Sequence, residues 1–325
     1  MKAIIPVAGA GTRLRPHTHS TPKVLIELAG KPIIGHILSQ LEGLPIDEVI
    51  MVVGQKGEMI KEYVDAHYKF RTSFIVQEEA KGLGDAIYLT KAAVGRDPAL
   101  IILGDTIFKA DFGTLLGRPT SLIGVKEVED PRRFGVVEME GRRIVRLVEK
   151  PEHPKSKLAI VGIYLIKETA GLFQAIEALY NRKIRTKGEY QLTDALQLML
   201  EKGTEMETFP VDGWYDCGKP ETLLETNRSL LEMGGFPVPE APGSVFIPPV
   251  FVGPSAKIEH SIVGPHVSIA AGSHIRQTVV SDSIIGSKTL VERALLHGSL
   301  LGDNATVRGK LSRLNVGDDS EVDIY

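Results

Sequence analysis

Residues 2–16, KAIIPVAGAGTRLRP, run from an aliphatic stretch straight into a glycine-containing loop with two arginines, and HTHSTPK carries the chain on to Lys23. Residues 2–8 read as a buried strand. Gly9 and Gly11, with Thr12, let main-chain N–H groups approach an anion without intervening Cβ atoms, and Arg13 and Lys23 add long cationic donors suited to phosphoryl oxygens. Taken alone, the glycines read equally well as a structural turn. The grouping GTR-x-RP…PK is more restrictive. It contains neither the Gly-Lys-Ser/Thr of a P-loop nor Gly-x-Gly-x-x-Gly, which disfavours a simple ATPase and a nicotinamide dehydrogenase.

Outward from that loop, strands and helices alternate. Residues 31–41 have helical spacing, 49–53 read as a strand, 58–69 as a helix, 73–77 as a strand, 83–94 as a helix and 99–103 as a strand ending at Gly104-Asp105. This order predicts an α/β domain with a mostly parallel, mixed sheet of Rossmann-like type, whose ligands collect at the carboxyl ends of the strands. The segments SLIGVKEV, GVVEMEG, RRIVRLVEK and LAIVGIYLI read as further strands, expected as a more antiparallel region beside the main sheet. Helices follow at 170–180 and 190–203, METFPVDGWYDCG is expected to return a strand toward the site, and 220–233 closes the domain as a helix.

The 325 residues exceed one ordinary core, so a large domain and a smaller one are expected, divided as 1–235 and 236–325. A formal charge of −3 disfavours a general nucleic-acid binder. The lone Cys217 excludes an intramolecular disulfide, and no apolar run reaches the ~18 residues of a membrane span. Without a clear leader segment, the expected location is cytoplasmic.

Beyond Gly234-Gly235 proline becomes frequent and the period changes. Val252, Val263, Ile285, Leu301 and Val316 each precede a glycine, and six positions after each stands Ile258, Ile269, Val291, Val307 or Val322; Ile275 continues the step from Ile269. A step of six is neither helical nor simple alternation, and it predicts a solenoid with aliphatic residues inside. Residues 244–324 resemble the left-handed parallel β-helix of hexapeptide repeats, although intervals of eleven, fifteen and sixteen imply irregular coils.

Residues 1–235 resemble the sugar-1-phosphate nucleotidylyltransferases, glucose-1-phosphate thymidylyltransferases above all. The matching stretches are GAGTRLRPHTHSTPK, Gln77…Lys-Gly82-Leu-Gly-Asp-Ala, Leu103-Gly-Asp105, Phe134-Gly-Val-Val-Glu, Val148-Glu-Lys-Pro, Val161-Gly-Ile-Tyr, Leu192-Thr-Asp-Ala and Trp214-Tyr-Asp-Cys-Gly-Lys. The resemblance implies an enzyme that joins a nucleoside triphosphate to a sugar 1-phosphate and releases pyrophosphate. It makes Gly9, Gly11, Thr12 and Arg13 the triphosphate loop, with Lys23 beside it. Gln77 and Gly82 would read the base, the Gln through a paired donor and acceptor. Glu149 would accept from sugar hydroxyls, Lys150 would contact the sugar phosphate, and Gly135 and Gly162 would shape the pocket. Asp105 and Asp216 would hold Mg²⁺, whose preference for few carboxylates plus phosphate oxygens suits them; a loop cap and a turn residue are the plainer readings of these two aspartates.

Arg13, Lys23 and Lys150 are the expected catalytic side chains, acting by positioning and electrostatics without a covalent intermediate. No His/Asp arrangement visible in the sequence activates Cys217, which is expected to be inert, and Tyr164 is expected to pack. The family usually has adjacent glycines in the loop, whereas this chain has Ala8-Gly9-Ala10. Its opening looks like uridylyltransferases and its Arg-Leu-Arg-Pro like thymidylyltransferases, so dTTP with glucose 1-phosphate comes first and UTP second. GTP with mannose 1-phosphate and a bifunctional acetyltransferase, for which His266, His274 and His297 offer bases, are the rivals. A homo-oligomer is implied.

Overall fold

The computed structural model describes residues 1–141 and 143–310. The chain divides into two compact units, one formed by Met1–Ile26 and Lys31–Thr226, the other by Glu27–Gly30 and the chain from Asn227 onward.

In the first unit β1 (Lys2–Pro6) is central because its Ala3, Ile4 and Ile5 are all fully buried. It pairs in parallel with β2 (Glu48–Val53) on one side and with β4 (Ala99–Ile102) on the other; β3 (Thr72–Val76) extends the β2 side. Helix α1 (Ile33–Ser39), α2 (Gly57–His67) and α3 (Leu83–Leu89) make the crossovers. Because β1 is followed in space by β2 on one side and β4 on the other, its carboxyl end is a topological switch point, where a crevice opens. The glycine loop leaves β1 there, and Asp105 leaves β4 beside it.

Strand β5 (Thr106–Lys109) turns out of the sheet, and β6 (Ser121–Glu127), β7 (Gly135–Glu140), β8 (Arg143–Glu149), β9 (Leu158–Ile166) and β10 (Met206–Pro210) complete it. The order is β3-β2-β1-β4-β9-β6-β10-β8-β7, nine strands in one sheet. The antiparallel strands are therefore not a region set beside the main sheet: β9 pairs directly with β4, and its nearly unbroken buried run, Ala159–Ile166, fits an interior position. Helices α4 (Thr169–Arg182) and α5 (Leu192–Glu201) bury Leu172, Phe173, Ile176, Leu192, Leu196 and Met199 in the cluster formed with Ile4, Ile101 and Ile123. Each such side chain contributes about 1.5–3 kcal/mol by leaving water. Strand β11 (Gly213–Asp216) pairs antiparallel with β5, and α6 (Pro220–Met233) follows.

In the second unit the chain winds through three four-stranded parallel sheets, the expected left-handed parallel β-helix. Ile258, Ile275, Val291 and Val307 stack in register, as do Val252, Ile269, Ile285 and Leu301, so successive coils take 17, 16 and 16 residues. The third sheet aligns Val263 with Val280 and Val280 with Leu296. The first coil thus has two sides of six residues and one of five, and the next two coils have one of six and two of five, which accounts for the irregular intervals. The repeat positions at Val316 and Val322 lie outside the described residues.

Buried hydroxyls at the corners tie coil to coil: Ser283 Oγ donates to the Ser281 carbonyl at 2.6 Å and accepts the Ser299 N–H at 3.0 Å, while Thr289 Oγ1 donates to Gly302 O at 2.7 Å and accepts the Ala305 N–H at 3.2 Å. These bonds satisfy main-chain groups that short strands leave unpaired. Residues 27–30 join this unit because the Ala29 N–H donates to Asn227 Oδ1, 3.0 Å away, an atom that also accepts from Ser268 Oγ at 2.6 Å.

No helix among the described residues is long and apolar enough to cross a membrane.

Candidate active site

A cleft of about 1260 Å³ opens at the switch point, lined by Gly9, Gly11, Thr12, Arg13, Lys23, Gln77, Gly82, Asp105, Gly135, Glu149, Lys150, Gly162 and Asp216. Every residue that the nucleotidylyltransferase resemblance singled out for the site therefore lines one cavity, whereas His266, His274 and His297 do not line it.

Local structure explains each placement. Gly11 has φ +61°, and a Cβ there would stand 2.9 Å from Thr18 Cγ2, so the loop needs glycine. Thr18 Oγ1 donates to Gly11 O at 2.8 Å, and Lys56 Nζ caps the carbonyls of Thr18 and His19 at 2.7 and 2.6 Å. Side-chain donors thus hold the loop's carbonyls, while Gly9, with nothing within 4 Å of where a Cβ would stand, leaves space beside it.

Lys23 Nζ lies 3.1 Å from Asp105 Oδ2. The lysine side chain is only 10% exposed and the aspartate 45%, so the carboxylate keeps one face toward the cleft. The ladder between β5 and β11 sets Asp216 opposite Thr106, and the Cys217 N–H donates to Asp105 O at 3.0 Å. More than a hundred residues of separation are closed by that ladder. A Cβ on Gly218 would meet Asp216 Oδ1 at 2.8 Å and Arg13 Nη2 at 3.1 Å, so both side chains crowd this glycine.

The carbohydrate candidates come from the β7–β8 hairpin. Glu149 pairs with Gly135 across the ladder, and its Oε2 accepts from Thr193 Oγ1 at 2.7 Å while Oε1 lies 3.0 Å from Lys150 Nζ. Gly135 leaves the room for this contact, since a Cβ there would be 3.0 Å from Thr193 Oγ1 and 3.2 Å from Glu149 Oε2. Lys150 has φ +45° and is fixed by its N–H to Phe134 O at 3.0 Å.

At Gln77 the structure alters the expectation. Its Nε2 donates to Asp85 Oδ2 at 2.7 Å and to Gly82 O at 3.3 Å, so the paired donor and acceptor are not both offered to a base.

Cys217 is fully buried, and burial pushes its thiol up to about 12, as an inert side chain requires. Tyr164 is 3% exposed; burial, then the nearby Glu149, raises its phenol above the ordinary range. Asp194 accepts from Thr186 Oγ1 at 2.7 Å, and burial, with the charge of Glu149 nearby, raises its carboxyl.

Several residues at the cleft had no role from the sequence. Trp214 sits edge-on to Phe134 at 4.9 Å between ring centroids, and its Nε1 is buried without a partner among the described residues. Such an orphaned donor beside a cavity is available to a ligand. Arg133, Lys187 and Thr193 also line the wall. Trp214 and Thr193 fall inside matched motifs; Arg133 and Lys187 belong to loops that carry no periodic signal.

Among the described residues no group of three or more His, Cys, Asp or Glu could hold a metal ion. Asp105 and Asp216 supply two oxygen-donor side chains, a set suited to a hard divalent cation that keeps waters and takes phosphate oxygens.

Residues 2–233 match the nucleotidyl transferase family, and the chain belongs to it. It is similar to the glucose-1-phosphate thymidylyltransferase of Streptomyces antibioticus, 30% identical over 100% of this chain and 99% of that protein. It is 40% identical to the bifunctional protein GlmU of Methanocaldococcus jannaschii over 71% of this chain and 55% of that one. Among solved structures, UDP-glucose pyrophosphorylase complexed with UDP-glucose superposes with a TM-score of 0.64 at 26% identity, covering 72% of this chain and 99% of that chain.

Proposed function

We propose that the cleft joins dTTP to glucose 1-phosphate, giving a nucleotide sugar and pyrophosphate, within the sugar-1-phosphate nucleotidyl transfer that its family relatives perform. The observation that carries this reading is the convergence of Arg13, Lys23, Asp105, Glu149, Lys150 and Asp216 on one cavity. UTP is the second candidate donor, favoured by the likeness to a structure holding UDP-glucose.

A phosphate oxygen of the sugar 1-phosphate attacks the α-phosphorus in line, the P–O bond to the β-phosphate breaks, and pyrophosphate leaves with the electron pair. The nucleophile is already anionic, so no protein base is needed. Lys150 positions the attacking phosphate and Glu149, oriented by Thr193, accepts from the sugar. The main-chain N–H groups at 9–12 hold the triphosphate, while Arg13 and Lys23 stabilise the charge that builds on the leaving side. Mg²⁺, held by Asp105 and Asp216, would neutralise the crowded phosphate oxygens.

Residues 1–235 carry the reaction in this proposal, in the cytoplasm, where nucleoside triphosphates are made. Residues 236–325 serve assembly into a homo-oligomer. In support, Val245, Ile262, Val279 and Leu295 stack in register and are 57%, 40%, 41% and 81% exposed, an uncharged column suited to an identical surface.

The test is a matrix of nucleoside triphosphates against glucose, mannose, galactose and N-acetylglucosamine 1-phosphates, read by product mass and pyrophosphate release. Product from dTTP and glucose 1-phosphate at the highest kcat/KM is expected. Pyrophosphate release in no combination would end the proposal.

A further inference from the structure

Asp85 is a buried carboxylate, 8% exposed, in the first turn of α3, and nothing in the transfer mechanism uses it. Its Oδ2 accepts from Gln77 Nε2 at 2.7 Å and its Oδ1 accepts from the Tyr180 hydroxyl at 2.8 Å. Tyr180 reaches it from α4 and is fixed edge-on between Tyr88 and Tyr190, with centroid distances of 5.1 and 4.5 Å. Burial, then the bond to Asp85, raises the phenol above its ordinary range, which keeps it a donor. On the other side, Gln77 is anchored through its N–H to Val53 O at 2.8 Å.

The orientation of a Gln amide follows from its partners. Here both neighbours of the terminal nitrogen, a carboxylate and the Gly82 carbonyl, only accept, so the NH₂ must face them and both its hydrogens are engaged. The carbonyl oxygen is what Gln77 has left to offer from the cleft wall. We infer that Asp85, braced by Tyr180, is a positioning residue for base selection: it fixes Gln77 as an acceptor and so restricts the site to bases with an N–H in the ring imide. This rests on the reading of the cleft as a nucleotide site. Thymine and uracil carry that hydrogen at N3. Cytosine presents a lone pair at the same position, which would face the Gln77 oxygen without a proton between them.

Calorimetric binding of dTTP, UTP, CTP and N3-methyl-dTTP without sugar phosphate tests this apart from turnover. For the unaltered protein, dTTP and UTP are expected to bind about 10- to 100-fold more tightly than CTP or the N3-methyl analogue. Asp85→Asn replaces the obligatory acceptor with a group that can either donate or accept, which frees the Gln77 amide to turn over. In that variant CTP is expected to bind more tightly than in the parent and the dTTP preference to shrink at least tenfold, with Tyr180→Phe intermediate. A general structural defect would weaken all four together, and that outcome overturns the inference. So does equal binding of dTTP and N3-methyl-dTTP by the unaltered protein, a comparison that needs no variant. Selective dTTP binding without any transfer would defeat the proposed activity and leave this inference standing.

Discussion

Lys23 Nζ stands 3.1 Å from Asp105 Oδ2, although one belongs to the loop after the first strand and the other to the end of the fourth. The pair links the expected phosphate donor to the expected metal ligand. Replacing Lys23 with Met is expected to lower kcat roughly 10²-fold or more with the circular dichroism spectrum unchanged, because a cation aimed at developing charge is lost. Asp105→Asn should instead raise the Mg²⁺ concentration needed for half-maximal rate. Identical magnesium titrations for Asp105→Asn and parent would remove Asp105 from the metal site.

Thr193 holds Glu149 through a 2.7 Å bond without being placed on substrate itself. For Thr193→Val, initial rates should show kcat/KM for the sugar phosphate down about tenfold, the scale of one lost hydrogen bond to a charged group, with the KM for the triphosphate unaffected. An equal rise in both KM values would show that Thr193 supports the cleft generally.

Cys217 offers a control in the core beside the site. A fully buried thiol raised to about 12 is scarcely ionised at pH 8, so iodoacetamide should leave the native protein unmodified and active. Cys217→Ala should retain most of the activity. Rapid native alkylation, followed by mass spectrometry, would contradict the burial argument.

Glu48 is buried, accepts from Lys2 Nζ at 2.9 Å and from Ser73, and these bonds hold its carboxyl below the ordinary value, first through Lys2. A lowered folded-state value stabilises above the unfolded pKa near 4.5, and that contribution disappears as pH falls through the folded value. Glu48→Gln should therefore melt below the parent at pH 7, with the gap closing toward pH 3. A gap that stays constant across thermal scans at both pH values would exclude this linkage.

In the second unit Ile275 is fully buried between Ile258 and Val291. Ile275→Ala should remove about 2–5 kcal/mol, the usual range for such a truncation. Chemical denaturation is expected to show the loss in the transition of the second unit, while dTTP binding persists.

Much of this fold is legible in the amino-acid sequence. Strong periodicity located β1 to β4 and the long helices, because a strand buried on both faces and an amphipathic helix leave different patterns of apolar residues. The sheet position of β9 was not legible, since its partner is chosen by tertiary packing and not by its own residues. The glycine loop marks Gly11, the end of a buried strand marks Asp105, and the family resemblance supplies Glu149, whereas the ladder that brings Asp216 toward Asp105 is a long-range pairing with no local mark. Gln77 shows the limit most clearly: its identity suggested a two-sided reader, and only the neighbours Asp85 and Gly82 reveal that one side is already engaged. The coil length was hidden for a similar reason, because Val280 is a stacked interior residue but is followed by Ser281 and not by glycine.

Coils of 16 or 17 residues make the second unit modular in whole turns. Removing one complete turn would set a new pair of floors against each other with aliphatic still meeting aliphatic, whereas excising a single six-residue side would rotate every later floor by a third of a circuit. Evolutionary lengthening or shortening of this tail should accordingly proceed in storeys, not in the hexapeptides that first betray it.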